Sequence, residues 1–468
     1  MTRRDFMGQA SCAAIGSTTL MSSLANLMLA NKMIGSAPTP PADYKALVCV
    51  LLAGGNDSFN MLVPRGASEY AQYATTRSNL ALPMASLLPI NPLVSDGKLY
   101  GVHPSMVAVK NMFEAERLAF VANVGTLIEP VANATEYYSG LKQLPLGLYS
   151  HSDQIQQWQT SVPHTREAIG WAGRMADILQ SGNANSAISM NISLSGRNVW
   201  QTGNQSYEYS IGNTDDGVTG LNSVSDWASN SGFLNYSRTE AINDLNTQLY
   251  NNILQGTLGD LSKRSFDAVE VFKNAVTAAP PFSTTFSTSS LSQNMKMVAR
   301  VIAAREALGA SRQTFFITFG GWDHHDEVIE NQMYMLGVVS AAIGELYAAL
   351  DTINMSDNVT TFTISDFART LTSNGNGSDH AWGGNSIVAG GAVNGKKIYG
   401  SFPELNLSGN PLMVSNRGNL IPTTSADALF ADLALWYGVS PFDLATILPN
   451  IGHFYTPGSA TTPLGLMG

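Results

Sequence analysis

The stretch KALVCVLLAGG, residues 45–55, is apolar without interruption from Ala46 to Ala53 and stops at two glycines. A strand with one face in water alternates polar and apolar side chains; this one does not, so it reads as buried on both faces. Strands of that kind belong to parallel sheets with helices on either side. RLAFVANVG (117–125) repeats the pattern, and AISMNISL (187–194), TFFITF (314–319), VTTFTIS (359–365) and SIVAGGAV (386–393) add further strands. Helical spacing falls between them, at 103–116, 152–161, 165–180, 329–350 and 426–439. The alternation predicts an α/β sandwich around a mostly parallel sheet. A run rich in Asn, Ser, Gly, Asp and Tyr (200–236) reads as surface loops. A helical region broken by AAPPFSTTFSTSS (278–290) follows it, so a helical and loop-rich insertion is expected over about 200–310.

The N-terminus carries an address. TRRDFM (2–7) places two arginines before CAAIGSTTLMSSLANLMLA (12–30), a mildly apolar stretch rich in small residues. This is the layout of a twin-arginine export signal. Its Ser, Thr, Asn and Gly content suits a lipid-spanning anchor poorly. Residues 1–35 are therefore expected to be signal and linker start, and 36–468 a single domain with no transmembrane anchor after cleavage. The twin-arginine machinery is an expected partner, and the expected location is periplasmic or secreted. Cleavage of the signal removes Cys12 and leaves Cys49, which cannot form an internal disulfide alone and reads as a packing residue. The net charge of −10 gives no basic footprint for nucleic acid.

Polar residues gather where the strands end, the place where open α/β sheets bind ligands. GGNDSFN (54–60) follows the first strand and carries Asp57. GGWDHHDE (320–327) carries Asp323, His324, His325 and Asp326. SDFART (365–370) carries Asp366, and SDHAWGGN (378–385) carries Asp379 and His380. YSHSD (149–153) opens a helix with Ser150, His151, Ser152 and Asp153. Carboxylates mixed with imidazoles are the donor set of zinc and related divalent ions. A single Asp at a strand end is more often a helix cap. Here, however, the strand ends hold four of the seven histidines, so a metal or anion site is the sharper hypothesis. His103, His164 and His453 read as packing or capping residues.

Taken in order, the twin-arginine start, LAGGNDSFNMLVP, GVHPSM, SHSDQIQQWQTS, GGWDHHDEVIENQ, SDFART, DHAWGGNSIVAGGAV and LALWYGVSPFDLATILPNIGHF resemble the bacterial secreted family called domain of unknown function 1501. The resemblance covers nearly the whole mature chain. That family is grouped with the alkaline phosphatase superfamily, which also holds sulfatases and cofactor-independent phosphoglycerate mutases. The resemblance implies an alkaline phosphatase-like three-layer sandwich with one or two divalent metals at the strand ends. It implies Asp57, Asp323, His325, Asp366 and His380 as metal ligands, with zinc the first expectation and calcium, magnesium or manganese the other ions. Two positions depart from the superfamily pattern. Phe367 stands where the histidine of an Asp-His pair belongs, and His325 follows Asp323 by two residues rather than four.

The nucleophile of the superfamily sits at a helix start, about ten residues before a small residue. Counting back from Ser161 reaches His151, with Ser150 and Ser152 on either side. A helix N-terminus is suited to an oxyanion, and a serine there can attack a phosphoryl or sulfuryl centre once its pKa is lowered. These three residues are the catalytic candidates. The implied function is a metal-dependent hydrolase of phosphate or sulfate esters, acting on an anionic small molecule or a polysaccharide. The alternative is a non-catalytic secreted binding or assembly protein on the same fold. An oxidoreductase is disfavoured: GGAVNG (390–395) lacks the spacing and context of a dinucleotide fingerprint.

Overall fold

The computed structural model describes residues 43–214, 237 and 268–468. The twin-arginine segment, its apolar stretch and Cys12 lie outside these residues, as does most of the run from 215 to 267. The elements that place the site are, in chain order, β1 (Lys45–Ala53), β2 (Leu118–Gly125), α1 (His151–Thr160), α2 (Trp171–Leu179), β3 (Asn191–Ser193), β4 (Tyr209–Ser210), α3 (Ser290–Ala303), β5 (Arg312–Gly320), α4 (Val328–Thr352), β6 (Val359–Ser365), β7 (Gly384–Gly390), β8 (Ile398–Tyr399), β9 (Thr424–Ser425) and α5 (Ala426–Tyr437).

The strands form one mixed, largely parallel sheet in the order β8-β2-β7-β6-β1-β5-β3-β4, with β9 also paired to β2. β1 runs parallel to β5 and to β6, and β7 alone runs antiparallel to both of its neighbours. The uninterrupted apolar run of β1 is explained by its surroundings. Ala46, Val48, Val50 and Leu52 point into one core with residues of α3 and α4, while Leu47, Cys49 and Leu51 point into another with residues of α1, α2 and α5. Successive strand side chains alternate faces, so a strand covered on both sides must be apolar at every position. Full burial of each such side chain contributes roughly 1.5–3 kcal/mol. The second core is dense in aromatics: Trp171 stacks on Phe430 with ring centroids 4.6 Å apart and meets Trp200 edge-on at 5.3 Å. Cys49 is fully buried, and burial pushes its thiol pKa well up, as expected of a packing residue.

One helix is shorter than its periodicity predicts. The pattern over 165–180 continues through Gly170, but α2 begins only at Trp171. Gly170 is extended and packs so closely on the carbonyls of Val199 and Trp200 that a Cβ there has no room. The 25-residue α4 is long and apolar enough to cross a membrane by composition, yet its side chains pack against α3 and the sheet.

Parallel pairing decides where the loops go. Ala53 is opposite Gly320, and Leu52 is opposite Ser365. The three central strands therefore end level, and the loops after β1, β5 and β6 emerge side by side. Gly54 and Gly55 make that packing feasible. Both have positive φ, +123° and +88°; a Cβ on Gly54 would lie 2.5 Å from the Asp323 amide nitrogen, and one on Gly55 would lie 2.6 Å from the Phe367 ring.

Candidate metal centre

The loop after β5 brings Asp323 to the middle of this cluster of loops. One ligand atom from each of His151, Asp323 and His380 lies within 4.8 Å of the others, and His325 lies beside two of them, Asp323 and His380. Its Nε2 is 3.1 Å from Asp323 Oδ1 and 3.0 Å from His380 Nε2. His380 Nε2 is 3.4 Å from Asp323 Oδ1, and His151 Nε2 is 3.5 Å from Asp323 Oδ2. Asp323 is about half exposed, so the centre opens to solvent.

The opposite nitrogen of each ring is already committed. His151 Nδ1 is 2.6 Å from Asp366 Oδ2, His325 Nδ1 is 3.1 Å from Asp379 Oδ1, and His380 Nδ1 is 2.8 Å from the Tyr149 carbonyl. A carbonyl or carboxylate accepts, so each Nδ1 carries a proton, and each ring in its neutral form presents an Nε2 lone pair. Three lone pairs thus converge on one carboxylate. With both rings neutral, the 3.0 Å contact of His325 with His380 sets lone pair against lone pair, and Arg369 Nη1 lies 3.5 Å from the His325 Nε2. Imidazoles oriented by carboxylates and carbonyls are how proteins build transition-metal sites. The residues present fit a divalent ion, with His151, His325, His380 and Asp323 as the donors that would hold it.

The backbone supports this placement. His151 opens α1, and Ser150 is its N-cap. Tyr149, just before them, has φ +72°, a conformation unusual for a bulky residue, and this turns its carbonyl to His380. Arg369 and His380 form an isolated antiparallel bridge that sets the two loops in register. Phe367 packs on both His151 and His380, with centroids 4.7 and 4.5 Å away.

Electrostatics hold the acids in distinct states. Burial raises the Asp323 carboxyl pKa, but the hydrogen bond and charge of Arg369 outweigh it and leave Asp323 below its ordinary value. Burial likewise works against Asp379, yet Asn374, His325 and Arg417 together hold it low. Asp366 lies on the other side: burial raises it, only partly offset by the Gly54 amide and His151. His380 is lowered, first by burial and also by the nearby charge of Arg369, with its bond to the Tyr149 carbonyl opposing, and this favours the neutral ring a metal requires.

The predicted site residues separate into groups. Asp323, His325 and His380 come together, and His151 joins them as a fourth donor rather than facing an anion alone. Asp366 touches the centre only through His151: its Oδ1 accepts the Gly54 amide at 3.0 Å and its Oδ2 takes the imidazole. Asp57 lies apart. Its carboxylate is fully buried against Arg77 at 2.5 Å and accepts the Ser378 hydroxyl at 3.0 Å. Ser150 Oγ accepts the Asp153 amide at 3.5 Å and lies 3.2 Å from Ser152 Oγ, so both hydroxyls are engaged at the helix start. His324 is buried, and Asp326 bonds to Asn376 at the turn.

Arg369 is the residue that the sequence reading passed over. Its side chain is fully buried and bonds to Asp323. It also donates to the carbonyls of Gly54 at 2.5 Å, Gly55 at 3.0 Å, Ser378 at 2.9 Å and Trp322 at 3.2 Å. One guanidinium thereby ties together the loops after β1, β5 and β6. The only sequence signal for it is an arginine three residues beyond Asp366 in SDFART.

The outer ring of the centre yields a direct test. Asp366→Asn replaces the acceptor that fixes the His151 tautomer. Metal affinity should fall by about 10–100-fold, the usual cost of losing such a partner. Competition with a chelator measures this, and unchanged affinity would show that His151 is not a ligand.

Comparison with known proteins gives a family and little else. No curated protein matches the chain. Among solved structures, Ps i-CgsB in complex with k-i-k-neocarrahexaose is 10% identical, with 85% of this chain and 72% of that one covered and a TM-score of 0.30. Ps i-CgsB itself is 10% identical over the same shares, with a TM-score of 0.32. Likeness at that level carries no structural inference. The family model described as Protein of unknown function (DUF1501) matches residues 44–417, a span that holds β1, β5, β6 and all the residues of the centre. The chain belongs to the DUF1501 family of proteins of unknown function.

Proposed function

We propose that the protein is a metal-dependent hydrolase of phosphate or sulfate esters on an alkaline phosphatase-like scaffold, exported folded by the twin-arginine route to the periplasm or beyond. One observation carries the reading: the Nε2 lone pairs of His151, His325 and His380 are held toward the Asp323 carboxylate by fixed Nδ1 partners. Zinc suits three imidazoles and a carboxylate best. A divalent ion bound there supplies Lewis-acid polarisation of an ester oxygen.

The chain's own groups do the rest. Arg369 fixes Asp323, and Asp366 fixes His151. His151 occupies the first turn of α1, where the backbone amides and the helix dipole favour an anion. Ser152 stands beside it on the exposed rim, its hydroxyl 3.2 Å from that of the N-cap Ser150. The substrate on this reading is an anionic ester, free or carried on a polysaccharide.

The test is metal analysis of full-length protein purified without chelator, followed by a screen of phosphate and sulfate monoesters and diesters. Bound zinc or a related ion, with turnover that chelation stops, is the expected result. Protein that is free of metal and stays so in excess zinc would sink the reading. Firm metal binding with no turnover of any ester would favour the binding-protein alternative, with the same residues holding the ion.

A further inference from the structure

We infer that the centre takes one divalent ion and not two, because the buried Arg77 guanidinium already sits on the Asp57 carboxylate that a second ion would need; this rests on the metal reading above. Four carboxylates of the strand-end cluster each have a basic or imidazole partner. Asp57 pairs with Arg77, Asp323 with Arg369, Asp379 with Arg417, and Asp366 with His151. The two acids that follow β1 and β5 thus differ: Asp323 is about half exposed among the imidazoles, whereas Asp57 is fully buried on Arg77.

The arginines cannot step aside. A guanidinium does not lose its proton in proteins. Both Arg77 and Arg369 have fully buried side chains. Arg77 also donates to the Thr370 carbonyl at 3.1 Å, and Arg369 is held by four carbonyls. Arg77 bonds Asp57 Oδ2, so a cation on the free Oδ1 would lie against a buried guanidinium, a like-charge contact that proteins avoid.

The surroundings of Asp57 hold unpartnered polar atoms. Asp57 Oδ1, Gln332 Oε1 and both ring nitrogens of His324 have no hydrogen-bond partner, and all three side chains are buried. Gln332 lies against Asp57, with its Nε2 3.1 Å from the Asp57 carbonyl. Ser378 links the Asp57 carboxylate to the backbone carbonyl of His324. With Arg77 already neutralising Asp57, these groups suit a small neutral molecule that both donates and accepts, such as water. They do not need a cation.

The experiment is Zn2+ stoichiometry on the full chain by equilibrium dialysis and native mass spectrometry. It compares wild type, H380A and the double variant D57N/R77M, which removes both members of the buried pair together. The expected result is one Zn2+ in wild type, one in D57N/R77M with Kd within about threefold of wild type, and binding in H380A weakened beyond ~100-fold. Two Zn2+ in wild type, with one lost in D57N/R77M, would overturn the inference and leave the metal reading standing. No Zn2+ in wild type would overturn both. One Zn2+ retained in H380A would overturn it by placing the ion elsewhere. Circular dichroism on each variant confirms that a lost ion is not a lost fold.

Discussion

Substituting His380 with alanine should abolish ester turnover and weaken metal binding by more than the roughly 10–100-fold lost when a ligand's outer partner is changed. His380 contributes more than one lone pair to the centre. Its Nε2 lies 3.0 Å from that of His325 and 3.4 Å from Asp323, so it faces two other donors at once. Its ring also packs against His151 at 4.4 Å and against Phe367 at 4.5 Å, which holds His151 in place from the side. Alanine removes a donor and loosens a second. The fold should survive, because the ring is partly exposed and its one backbone bond, to the Tyr149 carbonyl, can be replaced by water. Without metal the variant should even gain a little: it loses the lone-pair opposition with His325. Zinc affinity by chelator competition and urea midpoints in metal-free buffer measure the two sides. Turnover that persists at the wild-type rate would remove the centre from the chemistry.

How much of this was legible follows from what periodicity can and cannot encode. The central strands announce themselves because burial on both faces leaves no position for a polar side chain; β1 and β2 are buried throughout apart from the two ends of β1. Parallel pairing then makes their ends coincide, so the polar loops after β1, β5 and β6 were bound to meet. Asp323, His325 and His380 could be picked from those loops by residue type. The partners could not. Asp366 reaches His151 across 215 residues, and Arg369 reaches Asp323 across 46. Whether an acid at a strand end faces a metal, a histidine or an arginine depends on which loop lies next to it. That is a property of register and turn geometry, and the adjoining residues do not encode it. Asp57 shows this most plainly: by position it is the equal of Asp323, but α4 and the loop around Ser378 cover it, and Arg77 arrives from a helix 20 residues on.

Arg77→Met should destabilise the protein by about 3–5 kcal/mol, the cost of leaving a buried charge without its partner. That is a large share of the roughly 5–15 kcal/mol by which a domain is stable at all. Asp57 and Arg77 are both fully buried, 2.5 Å apart, and the remaining carboxylate contact is the Ser378 hydroxyl. With Arg77 gone, Asp57 can keep its charge in an apolar setting or take up a proton, and either course costs stability. The double variant D57N/R77M removes both charges and should recover most of the loss, because a buried pair as a whole contributes little net energy. Urea unfolding of the two variants in metal-free buffer gives the comparison, with the single variant far below the double. Repeating it with zinc separates two kinds of outcome. If zinc raises Arg77→Met by clearly more than it raises the wild type, Asp57 accepts a metal once its arginine is removed, and the guanidinium is what keeps the second cation out. If Arg77→Met is as stable as the wild type without any metal, the Asp57 charge has another partner and the pairing of acids with arginines must be redrawn.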